Sequence, residues 1–281
     1  MHELLHLLRR AIWHSFLHGV FGNAKAAAYS SMLTVFPAMI VVAWILAATH
    51  ASKSFSAEIS YVVGTVFPPG PRSTALEYFT GQTARSLSQI ISASIIMIMA
   101  ASGVMITWMG SFRQAYGIFD NPWGFWHERA VAYFLVFLGF LPMMFSMMLV
   151  VFGNQIEVWL VLKSNKIAGI YILFLFKIIR WAISFVTSVT VIMLIYHWGL
   201  PRVQPWHRVI PGAILATVLW FPVTVLFGWY VTNYATYDMI YGPLGAGIAL
   251  LVWLYIVSII ILVGAEFNAL ARPHETNFWP S

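Results

Sequence analysis

Six long apolar segments dominate this chain and limit what it can fold into. Crossing the hydrocarbon core of a bilayer takes about 20 apolar residues in a helix, and each segment reaches that length with few or no charges. They lie at residues 24–48, 88–112, 130–153, 167–197, 209–233 and 243–270. Transmembrane β-strands are shorter and alternate apolar with polar residues, which these segments do not. The pattern predicts six transmembrane helices.

The composition indicates a membrane protein rather than a soluble one. Of the 281 residues, 60% are hydrophobic and 9% are charged, whereas soluble domains carry about 25% charged residues. No stretch of ordinary soluble composition is long enough to form a domain, so we predict one all-α polytopic membrane domain over residues 1–281. The absence of cysteine excludes disulfides and thiolate metal sites. The net charge of +6 favours anionic lipid headgroups as partners.

Basic residues between the predicted spans indicate the orientation of the chain. With the N-terminus inside, the inner segments carry more Lys and Arg than the outer segments. Lys177 and Arg180 are left out of this comparison because they lie within a predicted span. The bias places both termini in the cytoplasm.

The first 22 residues predict an amphipathic helix lying along the membrane interface. Polar residues recur every four positions and form one stripe, and apolar residues line another face. The stripe consists of His2, His6, Arg10, His14 and His18. We interpret it as facing lipid headgroups. Histidines four residues apart can also bind a metal ion, but the stripe carries no acidic residue or cysteine as a further ligand. We therefore expect no metal site and no cofactor.

The segment at 49–87 is the one sizeable loop between predicted spans, and it lies on the outer side. The sequence Pro-Pro-Gly-Pro at 68–71 divides it. After this division, Thr74 and Glu77 have the spacing of a capping box, which marks a helix start. Before it, apolar residues repeat at helical spacing. The pattern predicts a helical hairpin resting on the outer leaflet, and a gate over a cavity stays open as an alternative.

A few polar residues within the spans are candidates for function, because charges in hydrocarbon are costly. The substrate-binding or translocation candidates are Lys25, Tyr29, Lys177, Arg180, Glu266 and Asn268. Lys177 and Arg180 share a helix face and could hold a phosphate or carboxylate. Alternatively, Arg180 marks the membrane boundary and reaches headgroups. Glu266 either lies at a helix end facing water or Arg272, or faces the interior and pairs with a base such as Lys25 or Arg180.

Lys25 and Tyr29 belong to a first span that is unusually polar in its inner half. Hydroxyl groups follow them at Ser30, Ser31 and Thr34. These groups either line a substrate path or bond to their own helix backbone.

The chain lacks two motifs of common enzyme classes. It contains no Walker-type phosphate loop and no G-x-S-x-G elbow. Its acidic residues are scattered singly, and His127–Glu128 is an adjacent His–acid pair between the predicted spans. A hydrolytic nuclease needs clustered metal ligands, and RNA binding favours a basic groove with aromatic residues. We expect no enzymatic activity and no nucleic-acid partner.

Several short motifs are spread along the chain in a fixed order. Span one contains AAAYSSMLTVFP at 26–37, and the last span contains YGPLGAG at 241–247, LVWLY at 251–255 and GAEFN at 264–268. Between them lie WHER at 126–129, Arg180-Trp181, RVIPGA at 208–213 and Trp220. In this order and spacing the chain resembles the YihY/BrkB family of bacterial inner-membrane proteins over almost its whole length. Pro243 departs from the family pattern, which more often has a small polar residue there.

The resemblance implies six spans with both termini cytoplasmic. Members of the family have been labelled ribonucleases and virulence or serum-resistance factors, and some have been linked to movement of lipid-A-type lipids. It implies no agreed catalytic residues. The cations within the spans, the polar first span, the prolines that kink helices and the lack of a soluble catalytic domain lead us to expect a transporter or flippase-like handler of an anionic lipid or other amphipathic substrate. The alternative is a non-transporting scaffold or regulator of envelope assembly, and a homo-oligomer or a partner membrane protein both stay open.

Overall fold

The computed structural model describes residues 2–48, 86–140, 166–233 and 243–271, and these ranges form helices and short connections. The helices are α1 (His2–Leu17), α2 (Val20–Ala48), α3 (Leu87–Ala115), α4 (125–140), α5 (Lys166–Trp198), α6 (Trp206–Asn233) and α7 (Pro243–Leu270). The described ranges contain no β-strand. The predicted all-α class is confirmed for this part of the chain.

Five of these helices are long and apolar enough to cross a membrane. The candidate spans are Val20–Val41, Leu87–Ala115, Phe174–Trp198, Trp206–Val231 and Gly247–Leu270. They match five of the six predicted spans. The remaining predicted span, 130–153, begins on α4 and continues into residues outside the described ranges, so the count of six stays a prediction. The predicted hairpin at 49–87 lies outside them as well, except for its last two residues.

The helix ends follow from local chemistry. The Ser86 hydroxyl accepts a hydrogen bond from the Gln89 N–H, and the Gln89 side chain accepts one from the Ser86 N–H, which forms a capping box at the start of α3. Helix α7 begins at Pro243, where a missing N–H costs nothing because the first helical turn has no partner for it. The amphipathic helix ends at Leu17, before the predicted position 22, because Gly19 adopts a φ of 64°.

Helix α7 is the centre of the bundle. Residues 260–268 are buried without interruption, and α7 contacts α1, α2, α3 and α6. Small side chains make this close packing possible, among them Ala24 and Ala27 of α2 and Ala213 and Ala216 of α6, all less than 1% exposed. The end of α7 and the start of α2 lie at the same end of the bundle. This end holds a polar core that consists of His14, His18, Glu266 and Asn268.

Candidate functional site

A hydrogen bond between a histidine and a buried carboxylate joins the last helix to the turn between the first two. The Glu266 carboxylate is 1% exposed, and its Oε1 lies 2.7 Å from Nδ1 of His18. The left-handed conformation of Gly19 ends α1 and allows the neighbouring His18 to approach α7. The sequence alternative in which Glu266 faces water is wrong. Glu266 faces the interior, and its partner is His18 rather than Lys25, which is exposed; Arg272 lies outside the described residues.

His14 lies beside this pair, one turn before the end of α1. Its ring centroid is 5.6 Å from that of His18, in an edge-to-face arrangement. One nitrogen of each imidazole and one oxygen of Glu266 all lie within 4.8 Å of one another. Burial, followed by the nearby charges of His18 and Arg10, lowers the pKa of His14. The three side chains together could hold a proton or a metal ion.

The predicted headgroup-facing stripe is thus only partly correct. His6 and Arg10 are exposed, as that interpretation requires. His14 and His18 instead turn toward α7, so the interpretation is wrong for them. The sequence could not show this, because Glu266 lies 248 positions from His18.

Asn268 connects α7 to the first turns of α6. Its Oδ1 accepts a hydrogen bond from the Gly212 N–H at 2.7 Å, and its Nδ2 donates to the Val209 carbonyl at 3.0 Å. Pro211 lies between these two groups and has no N–H of its own. Asn268 is 2% exposed and bonds through both ends of its amide. In this position it works as a clamp between two helices.

The backbones of α6 and α7 touch at two glycines. A Cβ atom at Gly212 would overlap the carbonyl oxygen of Gly264 and the amide of Asn268. A Cβ at Gly264 would lie 2.5 Å from the hydroxyl oxygen of Tyr196. That hydroxyl donates a hydrogen bond to the carbonyl of Ile261 at 2.5 Å. The GAEFN motif therefore brings α6, α5 and the turn after α1 together on α7.

Sequence reasoning missed two of these residues. His18 was assigned to the surface stripe, and Tyr196 was not singled out at all. Tyr196 is 2% exposed and packs edge-on against Phe112, with ring centroids 5.2 Å apart. A single tyrosine near the end of an apolar helix gives no sequence signal for such a contact, because aromatic residues are common at membrane interfaces.

The remaining predicted candidates lie apart from this polar core. Lys25 and Tyr29 are exposed on the face of α2 that points away from the other described helices, and Tyr29 is 63% exposed. The Thr34 hydroxyl donates to the carbonyl of Ser30 at 2.8 Å, so it bonds to its own helix backbone. Lys177 and Arg180 lie on α5, a single helix from Lys166 to Trp198, but their side chains are outside the described part of the structure.

The comparison with known protein families identifies the family of this chain. The sequence profile of the family described as Virulence factor BrkB matches residues 15–278. The chain belongs to the BrkB family. The matched range includes the hydrogen-bonded pair of His18 with Glu266 and the Asn268 clamp, and His14 directly precedes it.

Two relatives show how far the similarity of this BrkB-family member extends. The ribonuclease-like protein YfkH of Bacillus subtilis (strain 168) is 29% identical over 262 residues, which cover 90% of this chain and 91% of YfkH. A UPF0761 membrane protein of Xanthomonas campestris pv. campestris (strain B100) is 28% identical over 269 residues, covering 92% of this chain. This chain spans 59% of the length of that Xanthomonas protein. No solved structure matches the chain significantly.

In the His–acid pair at 127–128, Glu128 bonds to other side chains and His127 is exposed. Arg113 at the end of α3 donates to Oε1 of Glu128 at 2.6 Å, and Asn121 donates to Oε2 at 3.0 Å. Both carboxylate oxygens are therefore bonded, and the contacts connect the α3–α4 loop to the start of α4. His127 is exposed, with its ring centroid 5.6 Å from that of Trp123.

Proposed function

We propose that this BrkB-family membrane protein is a transporter or flippase-like handler of an anionic lipid or other amphipathic substrate. The supporting observation is the outward face of α2, which carries Lys25, Tyr29, Leu33 and Phe36. These residues are spaced by four, four and three positions, so they share one side of the helix. Tyr29, Leu33 and Phe36 are 63%, 46% and 58% exposed.

Along this α2 face the side chains change from basic to polar to apolar, which is the order of headgroup and acyl chain in an anionic lipid. Lys25 lies near the start of the span, Tyr29 follows one turn deeper, and the apolar Leu33 and Phe36 come after them. The face extends about 16 Å at 1.5 Å per residue, from headgroup depth into the hydrocarbon. An ammonium group suits an anionic headgroup, a phenol can donate to a phosphate or ester oxygen, and apolar side chains suit an acyl chain.

Lys25 is available for such a ligand. No ion pair or hydrogen bond joins its side chain to any residue in the described ranges. A cation facing a bilayer interface without a protein partner attracts anionic headgroups. With both termini in the cytoplasm of a bacterial cell, as the basic residues favour, the α2 face would open to the inner leaflet of the inner membrane.

Movement of the lipid, beyond binding, needs helices that can change shape. Pro37 interrupts the backbone bonding of α2 directly after Phe36, and Pro211 and Pro222 do the same in α6. Such positions are where membrane helices bend. Because the sequence has no Walker-type loop, we propose that the movement is passive, coupled to an ion or driven by a partner chain. Lys177, Arg180 and Glu266 stay candidates for other parts of the path.

The test is mass spectrometry of the lipids that the purified protein retains. Wild type is compared with Lys25→Ala and with Arg180→Ala, and the control is Arg202→Ala, which removes an exposed cation in the α5–α6 loop. We expect an anionic lipid that is enriched over the bulk membrane in wild type and in the control and is lost in Lys25→Ala. Retention of bulk lipid alone by all four proteins would overturn the proposal and favour the scaffold.

A further inference from the structure

Three ligating side chains from distant parts of the sequence meet at the end of α7. His14 comes from the last turn of α1, His18 from the turn that follows, and Glu266 from α7. Their ligand atoms lie within 4.8 Å of one another, and the nearest pair, Nδ1 of His18 and Oε1 of Glu266, is 2.7 Å apart. Neither the family match nor the relatives' names assign a role to this cluster.

We propose that His14, His18 and Glu266 bind a divalent transition-metal ion, with Zn²⁺ as the best match. Two imidazole nitrogens and one carboxylate oxygen form one of the ligand sets that zinc uses when a fourth position stays open to water or another ligand. Calcium and magnesium prefer oxygen ligands alone, so the two histidines disfavour them. The chain has no cysteine, which makes a thiolate site impossible.

The geometry needs only small adjustments to hold this ion. Zinc bonds of about 2.0–2.1 Å in a tetrahedral arrangement place neighbouring ligand atoms about 3.3 Å apart. The His18–Glu266 pair at 2.7 Å must open slightly, while all the ligand atoms already lie within 4.8 Å of one another. His14 and His18 are both only partly buried, so their rings have room to rotate.

The burial of Glu266 supports a cation at this point. A carboxylate that is 1% exposed needs neutralisation when it is ionised, and His18 supplies a positive charge only when it is protonated. A divalent ion provides that neutralisation directly, with the two imidazoles as its other ligands. The same ion would cross-link α1 and the following turn to the end of the last span. Metal binding would therefore fix the N-terminal helix against the bundle.

The experiment measures metal binding by the full-length protein in detergent. Any polyhistidine tag is removed first, because it would bind zinc itself. After treatment with a chelator, the protein is titrated with Zn²⁺ by calorimetry, and bound metal is counted by mass spectrometry. Wild type is compared with His14→Ala and His18→Ala. The control is His6→Ala, which removes an exposed histidine from the same stripe of α1.

We expect one zinc ion per chain in wild type and in His6→Ala, and an affinity at least about tenfold weaker in His14→Ala and in His18→Ala. Size-exclusion chromatography checks that each variant is folded. If His18→Ala does not fold, His14→Ala and the visible absorption of bound Co²⁺ in wild type still test the site. Absence of stoichiometric binding in wild type, or equal affinity in all variants, would overturn the proposal. A loss in His6→Ala equal to that in His14→Ala would also overturn it.

Discussion

Replacing Asn268 with Leu removes the clamp between α7 and α6 while keeping the number of heavy atoms in the side chain. Two interhelical hydrogen bonds are lost, to the Gly212 N–H and to the Val209 carbonyl. Such bonds in membrane proteins are worth about 0.6 kcal/mol on average and up to about 1.7 kcal/mol each. We therefore expect Asn268→Leu to lower the free energy of unfolding by about 1–3 kcal/mol.

The matched control is Thr217→Val. Thr217 is also fully buried on α6, but its hydroxyl donates within its own helix, to the Ala213 carbonyl at 2.9 Å. Losing this local bond should cost less than losing the two interhelical bonds of Asn268, because it joins α6 only to itself. Unfolding is followed by tryptophan fluorescence as dodecyl sulfate replaces a mild detergent. The reasoning is refuted if Asn268→Leu matches wild type, or if Thr217→Val loses as much stability.

Three further substitutions test the packing at this end of the bundle. Gly212→Ala should destabilise the protein by about 1–3 kcal/mol, because its Cβ overlaps the carbonyl of Gly264. The control is Gly22→Ala, whose Cβ meets no atom within 4 Å. It should show no loss of stability in the same unfolding assay. Tyr196→Phe removes one buried hydrogen bond to a carbonyl of α7 and should cost about 1 kcal/mol, and an unchanged thermal midpoint would contradict this. Gly19→Ala forces a side chain into a left-handed conformation at a cost of about 1–2 kcal/mol. Limited proteolysis should then cut faster between α1 and α2, and equal cleavage rates would argue against the strained turn.

The spans could be predicted from the sequence because the thickness of a bilayer fixes how long an apolar helix must be. The predicted 88–112 and 209–233 lie within the observed Leu87–Ala115 and Trp206–Asn233. The turn at His18 and Gly19 was not predicted, because glycine is compatible with both a helix and a left-handed turn. Only the docking of α1 on α7 selects the turn.

The candidate site was predicted in part. Glu266 and Asn268 stand out as polar residues in an apolar helix, and both prove to be buried. Their partners could not be predicted, since the residues that bind them lie at least 56 positions away in the sequence. Lys25 also stands out in the sequence as a charge within an apolar span. Its exposure could not be predicted, because it depends on which face of α2 the neighbouring helices cover.

Transbilayer movement of a fluorescent anionic lipid in proteoliposomes tests the proposed function most directly. Vesicles contain the labelled anionic lipid or a zwitterionic lipid with the same label, and a membrane-impermeant quencher reports how much label reaches the outer leaflet. We predict faster movement of the anionic lipid with wild type and Arg202→Ala than in protein-free vesicles, and slower movement with Lys25→Ala. A rate equal to that of protein-free vesicles for wild type, or no effect of Lys25→Ala, would contradict the account.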